Sequence, residues 1–200
     1  FRSVQAKQDG AVVFMLTASF STDDAGPEHQ FVQPTAPDPD AGGEIPLFHL
    51  RQPDMADEFK VDYPSELLIQ MRSTQDEDGS LEMGPDGRYE RNTWVRVAVP
   101  LPNDPLLHAC AFTYISDLGM SSTSFAPHRD QRRSLQVASI DHAVWFHNAF
   151  RADEWMLFAR DTPVARHGHG LARAIAYDTS GRLIASMVQE SLMRTRRAQQ

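Results

Sequence analysis

The sequence contains a single cysteine, Cys110, among its 200 residues. One cysteine excludes an internal disulfide and a cysteine-rich metal site, and it fits a reducing compartment. Two histidines in a glycine-rich turn, His167 and His169, are a weak basis for a metal site. We therefore expect no bound metal ion.

Long apolar runs are also absent, since no stretch approaches the roughly 20 residues that cross a bilayer. No signal peptide is visible in the sequence. The net charge of −8, from 19 basic and 27 acidic residues, argues against a nucleic-acid-binding surface. We interpret the short basic clusters at 129–133 and 194–197 as solvated. We expect no membrane span and no nucleic-acid partner.

The motifs of covalent and cofactor chemistry are missing as well. The sequence has no Gly-x-Ser-x-Gly nucleophile elbow, no glycine-rich phosphate loop and no dinucleotide fingerprint. Cys110 falls on the apolar stripe of a predicted helix, so we expect a buried and inert thiol. Carboxylates, hydroxyls, amides and histidines remain, and these groups suit the activation of a bound water.

The first residues predict a hairpin. Asp9-Gly10 is a favoured two-residue turn between strands at 2–7 and 11–20. Val12, Phe14 and Leu16 alternate with other residues, so we expect them to face a core, and a lone hairpin needs partners. Because the sequence starts at Phe1 rather than Met, we expect the true N-terminus to lie upstream.

Residues 21–64 predict a linker that runs over a surface. Seven prolines and the pair Gly42-Gly43 interrupt this stretch. A short helix is expected within it at Pro53–Lys60.

The next stretch predicts two strands, at 66–72 and 93–99, followed by a helix. Asn103 or Asp104 caps the helix, which starts with Pro105 and ends near Gly119. Asp117 then lies in the last turn of a buried helix, where a carboxylate is mildly disfavoured by the helix dipole. Apolar residues recur along this helix at three- and four-residue steps, namely Leu106, Leu107, Cys110, Ala111, Tyr114, Ile115 and Leu118.

The remaining residues predict a polar loop at 119–134 and four more strands. The first covers 135–147, the second covers 155–160 and is broken by Asp161-Thr162-Pro163, and a final hairpin joins 171–177 to 182–193. A long helix in the middle of an antiparallel sheet requires the sheet to wrap around it. The order therefore predicts an α+β hot-dog fold.

Two stretches concentrate polar groups among apolar ones. Residues 139–147 hold a hydroxyl, a carboxylate, two imidazoles and two aromatic rings, and their period of two predicts one continuous strand with Asp141 and His142 on opposite faces. In the last strand, Gln189 places an amide on a mainly apolar face.

Several separated blocks resemble the acyl-CoA thioesterase II family, whose members are double hot-dog proteins. The blocks are Ile115-Ser116-Asp117-Leu118, Ser139-Ile140-Asp141-His142, Trp145-Phe146-His147 with Glu154-Trp155, and Ala185-Ser186-Met187-Val188-Gln189-Glu190. The resemblance implies a tandem of two hot-dog domains in which the first is incomplete. Residues 1–30 would be the last hairpin of the first domain, 31–64 the linker, and 65–200 a complete second domain.

The resemblance also implies an active site. In this family an aspartate, a threonine or serine, and a glutamine together orient the water that attacks the thioester. The matching positions are Asp117, Ser139 and Gln189, where Ser139 keeps the hydroxyl of the more frequent threonine. Asp141 and His142 resemble structural or wall residues.

The implied activity is hydrolysis of acyl-CoA to free fatty acid and CoA, with no cofactor. The alternatives are a non-catalytic acyl-CoA-binding module and a hot-dog dehydratase, whose Asp and His motif His108 and Asp117 do not match. We also expect an apolar acyl channel beside the helix and a homo-oligomer formed through the hot-dog sheets. The ending Ala-Gln-Gln differs from a peroxisomal Ser-Lys-Leu signal, which favours a cytoplasmic location.

Overall fold

The structure, a computed structural model, describes residues 1–41, 43, 68–74, 82–83 and 87–196. The helix expected at Pro53–Lys60 lies outside the described residues. The chain divides into two compact units, Phe1–Gln30 and Phe31–Gln200. The assignment of residues 1–30 to an incomplete hot-dog domain, and the limits of the linker and second domain, stay predictions.

The first unit contains the expected hairpin of β1 (Arg2–Gln8) and β2 (Ala11–Ala18). Asp9 and Gly10 both have positive φ, 49° and 81°, as a two-residue turn of this kind requires. Side chains on both strands are exposed, including Val12 at 49% and Phe14 at 53%. The core that the alternate residues of β2 are expected to face is therefore not found within the described residues.

The second unit is built on one antiparallel sheet, which has eight strands within the described residues. Its spatial order is β3-β5-β8-β9-β10-β6, with β4 beside β5 and β7 beside β10. The strands are β3 (Ile69–Ser73), β4 (Glu82–Met83), β5 (Tyr89–Val97), β6 (Leu135–Ser139), β7 (Ala143–Phe146), β8 (Met156–Arg166), β9 (His169–Asp178) and β10 (Leu183–Thr195).

A 13-residue helix, α1 (Pro105–Asp117), packs on one face of this sheet. The Asp104 carboxylate accepts a hydrogen bond from the N–H of Leu106 at 2.9 Å, and Pro105 occupies the first helical position. These are the start signals that the sequence predicts. The helix ends at Asp117, Leu118 caps it, and Gly119 follows with φ 87°. One long helix against an antiparallel sheet confirms the predicted α+β architecture.

The buried face of α1 differs from the predicted one. Phe112 and Ile115 are fully buried, whereas Leu106 is 67% and Tyr114 60% exposed. Cys110 is exposed too, so the expectation of a buried thiol is wrong. The helix is rotated so that Phe112 packs against other aromatic rings, with centroid distances of 5.6, 5.0 and 5.4 Å to Phe146, Phe150 and Phe158.

The opposite face of the sheet carries a second apolar cluster. Trp94, Trp155, Leu157 and Tyr177 alternate with core residues along their strands and therefore point away from α1. Ala36 packs on this cluster, and the indole N–H of Trp94 donates to the carbonyl of Pro37 at 2.8 Å. The start of the proline-rich segment thus covers the outer face of the sheet.

The loop predicted at 119–134 and the strand end predicted at Asp161-Thr162-Pro163 are both wrong. Residues 119–134 are not a loop but contain α2 (Met120–Phe125) and a 3-10 segment at Ala126–Ser134. Ser122, Thr123 and Ser124 bond back to carbonyls one turn earlier, for example Thr123 to Gly119 at 2.9 Å. The helix packs on the sheet through buried Met120, Thr123 and Ser124, contacts that a polar sequence run does not reveal. Pro163 does not end β8, because a bulge between Asp161 and Val164 absorbs it.

Candidate active site

Asp117 is the last residue of α1 and its side chain is exposed. The burial that the sequence predicts for it is therefore not found. Asp117 lies one and two turns beyond Tyr114 and Cys110 on the same side of the helix, which is the side that faces away from the sheet. Four members of the predicted apolar stripe are exposed and lead to this carboxylate, namely Leu106, Leu107, Cys110 and Tyr114. Its other end, at Ile115 and Leu118, is buried.

A bulge interrupts the strand predicted at 135–147. Ser139 pairs with Ser191 at the end of β6, and Ala143 pairs with Val188 at the start of β7. Three residues, 140–142, therefore lie opposite only two, Gln189 and Glu190. An extra residue of this kind bends a strand and redirects its side chains.

Asp141 and Ile140 hold the bulge against β10. The Asp141 carboxylate accepts a hydrogen bond from the N–H of Glu190 at 2.8 Å, and the N–H of Ile140 donates to the carbonyl of Glu190 at 2.9 Å. At the bulge, these two bonds take the place of the regular backbone hydrogen bonds between paired strands. As a consequence the side chain of His142 reaches both Ser116 on α1 and Gln189 on β10.

The structure brings Asp117, Ser139 and Gln189 together. The amide Nε2 of Gln189 donates to Oγ of Ser139 at 3.0 Å, and that hydroxyl lies 3.5 Å from Oδ1 of Asp117. Gln189 is fully buried on the inner face of β10, as its alternation with Met187 and Ser191 predicts. Ser139 and Asp117 are exposed, so they form the accessible end of the cluster.

Ser121 belongs to the same cluster, although neither the motifs of the sequence nor the family resemblance identifies it. Its Oγ lies 3.1 Å from Nε2 of Gln189, 3.2 Å from Oγ of Ser139 and 3.0 Å from Oγ of Ser191. The run Ser121-Ser122-Thr123-Ser124 was the available signal, because four hydroxyls in one turn suit a polar cluster. The same run lacks apolar periodicity, however, and therefore predicts a loop.

A buried cation supports the end of α1 beside Asp117. Arg160 on β8 is 2% exposed, donates to the carbonyl of Leu118 at 3.1 Å and lies over the ring of Phe158. Burial, and to a smaller extent the charge of Arg91, lowers the pKa of Arg160 to about 9. A positive group at a helix C-terminus is electrostatically favourable.

The described part of the second unit contains cavities of about 600 and 340 Å³. The larger lies on the outer face of the sheet, between Phe31 or Val32 and strands β8 to β10. The smaller borders the first turn of α1 at Pro105 and His108. None of Asp117, Ser139 and Gln189 lines either cavity, so the acyl channel stays a prediction.

The described residues contain no helix that is long and apolar enough to cross a membrane.

Comparison with known proteins identifies relatives along nearly the whole chain. Human acyl-coenzyme A thioesterase 8 is 31% identical over 206 residues, covering 98% of this chain and 63% of that protein. Acyl-CoA thioesterase 2 of Haemophilus influenzae is 29% identical, covering 96% of this chain and 67% of that protein. The chain thus spans about two thirds of the length of these relatives.

Solved structures show the same fold. An acyl-CoA thioesterase II from Mycobacterium marinum superposes with a TM-score of 0.78 at 34% identity, covering 97% of this chain and 68% of that one. A protein described as having a hot-dog fold, from Alicyclobacillus acidocaldarius, superposes with a TM-score of 0.61 at 16% identity. The predicted hot-dog fold is confirmed. The family described as acyl-CoA thioesterase matches residues 71–192, and the chain belongs to it.

Proposed function

We propose that the protein hydrolyses acyl-CoA thioesters to a free fatty acid and CoA, with a water molecule held by Asp117, Ser139 and Gln189. The observation that carries the proposal is the meeting of these three side chains, through contacts of 3.0 and 3.5 Å, from three distant parts of the chain. Membership of a family whose named relatives are acyl-CoA thioesterases supports the same substrate.

The roles follow from the chemistry of each group. The Asp117 carboxylate is exposed and accepts a proton from the water as the water oxygen attacks the carbonyl carbon. The Ser139 hydroxyl orients that water, and the 3.5 Å gap to Asp117 makes its direct bond to the carboxylate weak and easily replaced. Because Gln189 is fully buried, it acts on the water through Ser139. Collapse of the intermediate breaks the C–S bond, and the CoA thiolate leaves and takes up a proton.

The exposed stripe of α1 supports a place for the acyl chain. Leu106, Leu107, Cys110 and Tyr114 follow one another at helical spacing toward Asp117, and all are exposed. An acyl chain along this stripe would bring its thioester to the carboxylate at the helix end. Apolar burial at about 25 cal/mol per Å² would then favour longer chains.

Exposed apolar side chains next to the site support an oligomer as well. Ile140, Trp145 and Phe146 are 50%, 52% and 46% exposed and follow Ser139 along the chain. Trp145 and Phe146 are neighbours on β7 and point to opposite faces, so large apolar side chains are exposed on both faces of this strand, as is common at interaction sites. We infer a homo-oligomer formed through such surfaces and a cytoplasmic location. Sedimentation of the purified protein and fractionation of cells measure these two properties.

The test of the proposed function is release of free thiol from a panel of acyl-CoAs of increasing chain length. Wild type is expected to release thiol, and Asp117→Asn is expected to lower kcat by about 100-fold or more, the usual effect of losing a general base. Asp130→Asn, at another exposed aspartate, is the matched control and should keep full activity.

The same assay separates the alternatives. Tight binding of acyl-CoA without thiol release would indicate a non-catalytic binding module. Hydration of an enoyl-CoA without thiol release would indicate a dehydratase. An Asp117→Asn protein with wild-type kcat would contradict the assignment of the base.

A further inference from the structure

His142 connects the helix to the last strand through two short hydrogen bonds. Its Nε2 lies 2.7 Å from Oγ of Ser116 on α1, and its Nδ1 lies 2.7 Å from Oε1 of Gln189 on β10. The imidazole is half-buried, and the bulge at 140–142 directs it inward. A group in this position can determine which end of the Gln189 amide faces Ser139.

Asp117 lies at the other end of this series of hydrogen bonds and determines which groups donate and which accept. A carboxylate only accepts, so in the resting site, before a water replaces this weak 3.5 Å contact, the Ser139 hydroxyl donates its one proton to Asp117. Ser121, 3.2 Å away, then donates to Ser139 or to Ser191. Ser139 Oγ must then accept from Gln189, which requires the amide NH₂ on that side. The amide oxygen is therefore turned toward His142, where it can only accept from an N–H.

These constraints assign a proton to Nδ1 of His142. In the neutral ring, Nε2 then accepts the one proton of the Ser116 hydroxyl, which gives up its bond to the Thr113 carbonyl. In the charged ring, Nε2 donates to Ser116, whose hydroxyl donates onward to the carbonyl of Thr113 at 2.8 Å. In both states the Nδ1–H of His142 donates to the amide oxygen of Gln189. The amide therefore keeps one orientation whether or not the ring is charged.

We propose that His142 is a positioning residue, which fixes the Gln189 amide so that its NH₂ group faces Ser139 and leaves the Ser139 proton for Asp117 or the water. This inference rests on the proposed function for its effect on the rate. Without the imidazole N–H the amide can rotate by half a turn. Its oxygen would then accept the Ser139 proton, and the hydroxyl would no longer be directed at Asp117.

Three substitutions at this position separate positioning from simple packing. His142→Asn places an amide N–H where Nδ1 was, His142→Gln places one near Nε2, and His142→Leu places none. We expect Asn to keep kcat within a few-fold of wild type, and Gln and Leu to lower kcat by about 10- to 100-fold with KM little changed. Circular dichroism and the melting temperature of each variant identify any that fail to fold.

A spectroscopic measurement on wild type tests the geometry without any activity. Nitrogen NMR of ¹⁵N-labelled imidazole rings distinguishes protonated from unprotonated nitrogens, and we expect Nδ1 of His142 to carry a proton at every pH at which the protein is folded. An unprotonated Nδ1 would overturn the inference. So would His142→Leu or His142→Gln with the kcat of His142→Asn in an active, folded protein.

Failure of the proposed function gives a different pattern. Wild type that releases no thiol from any acyl-CoA contradicts the function, and the imidazole spectrum alone then decides whether His142 fixes Gln189. Active wild type with three equally active variants contradicts the inference and leaves the function standing.

Discussion

The carboxylate of Asp141 accepts a hydrogen bond from the backbone N–H of Glu190 at 2.8 Å, across the bulge between β6, β7 and β10. Glu190 is the neighbour of Gln189, so this bond fixes the backbone from which the buried amide projects. The same bulge directs His142 toward that amide. Asp141 and His142 thus contact the buried side of the site, at Glu190 and Gln189, and neither contacts its exposed end at Ser139 and Asp117.

The first prediction concerns this bond. Asp141→Ala leaves the Glu190 N–H without its acceptor and should lower the free energy of unfolding by about 1 kcal/mol, because the bond is exposed. It should also lower kcat, since Gln189 loses a fixed backbone. Asp141→Asn keeps an acceptor oxygen and should stay near wild type in both respects. Urea unfolding and thiol release measure the two effects. Equal loss in both variants would indicate that charge matters here and not the hydrogen bond.

The second prediction concerns the hydroxyl of Ser139. Ser139→Ala removes the group that joins Gln189 to Asp117 and should lower kcat by about 10²- to 10³-fold, as for other groups that position or stabilise reacting oxygens. Ser139→Thr keeps the hydroxyl, adds one methyl group at an exposed position and should keep most of the activity. Both variants should melt near wild type. An alanine variant with normal kcat would remove Ser139 from the proposed mechanism.

The sequence predicts elements whose signals are local. The Asp9-Gly10 turn and the Asp104 and Pro105 start of α1 depend on a few neighbouring residues, and both are confirmed. The predicted buried stripe of α1 is confirmed at Ile115 and Leu118 and wrong at Leu106, Cys110 and Tyr114, because hydrophobicity alone does not say which side of a helix meets the sheet. Phe112 decides the rotation through aromatic rings that lie 34 to 46 residues later in the chain.

In the candidate site too, the sequence identifies some residues, and others are identified only by contacts between distant parts of the chain. The resemblance identified Asp117, Ser139 and Gln189, and the structure places them in one cluster. The sequence does not identify Ser121, because α2 has no apolar period and is held by the burial of Met120, Thr123 and Ser124 in the folded chain. The bulge was missed because the strand pattern continues through it. Only the pairing with β10 shows that one residue is in excess.

The third prediction concerns the close approach of α2 to β9. A Cβ atom at Gly170 would lie 3.0 Å from Cβ of Ser124 and would overlap Sδ of Met193. Gly170→Ala should therefore lower the free energy of unfolding by about 1–3 kcal/mol and displace α2 with Ser121. Activity should fall with stability. Pairing it with Met193→Ala removes one of the two overlaps, so the double variant should be more stable than the sum of the single changes predicts. Additive losses would show that Met193 moves aside freely.

The fourth prediction concerns the turn between β9 and β10, where Asp178 accepts four hydrogen bonds. The donors are Ser180 N at 2.9 Å, Ser180 Oγ at 2.6 Å, and Arg182 N and Nε, both at 3.0 Å. Burial raises the pKa of the Asp178 carboxyl, but these bonds outweigh it and hold the pKa below its usual value. A carboxyl with a lowered pKa adds stability that is present above its unfolded pKa of about 4 and is lost as the pH falls through its folded value.

Asp178→Asn should therefore be less stable than wild type by about 1–2 kcal/mol at pH 7, because the amide loses the ion pair with Arg182 and weakens the other bonds. The gap should shrink as the pH falls from about 5 toward 3, where the wild-type carboxyl also takes up its proton. Urea midpoints of both proteins at each pH measure it, and the difference between them removes the acid sensitivity of all other groups. A gap that widens on acidification would mean that the pKa of Asp178 is raised on folding and that burial outweighs its four hydrogen bonds.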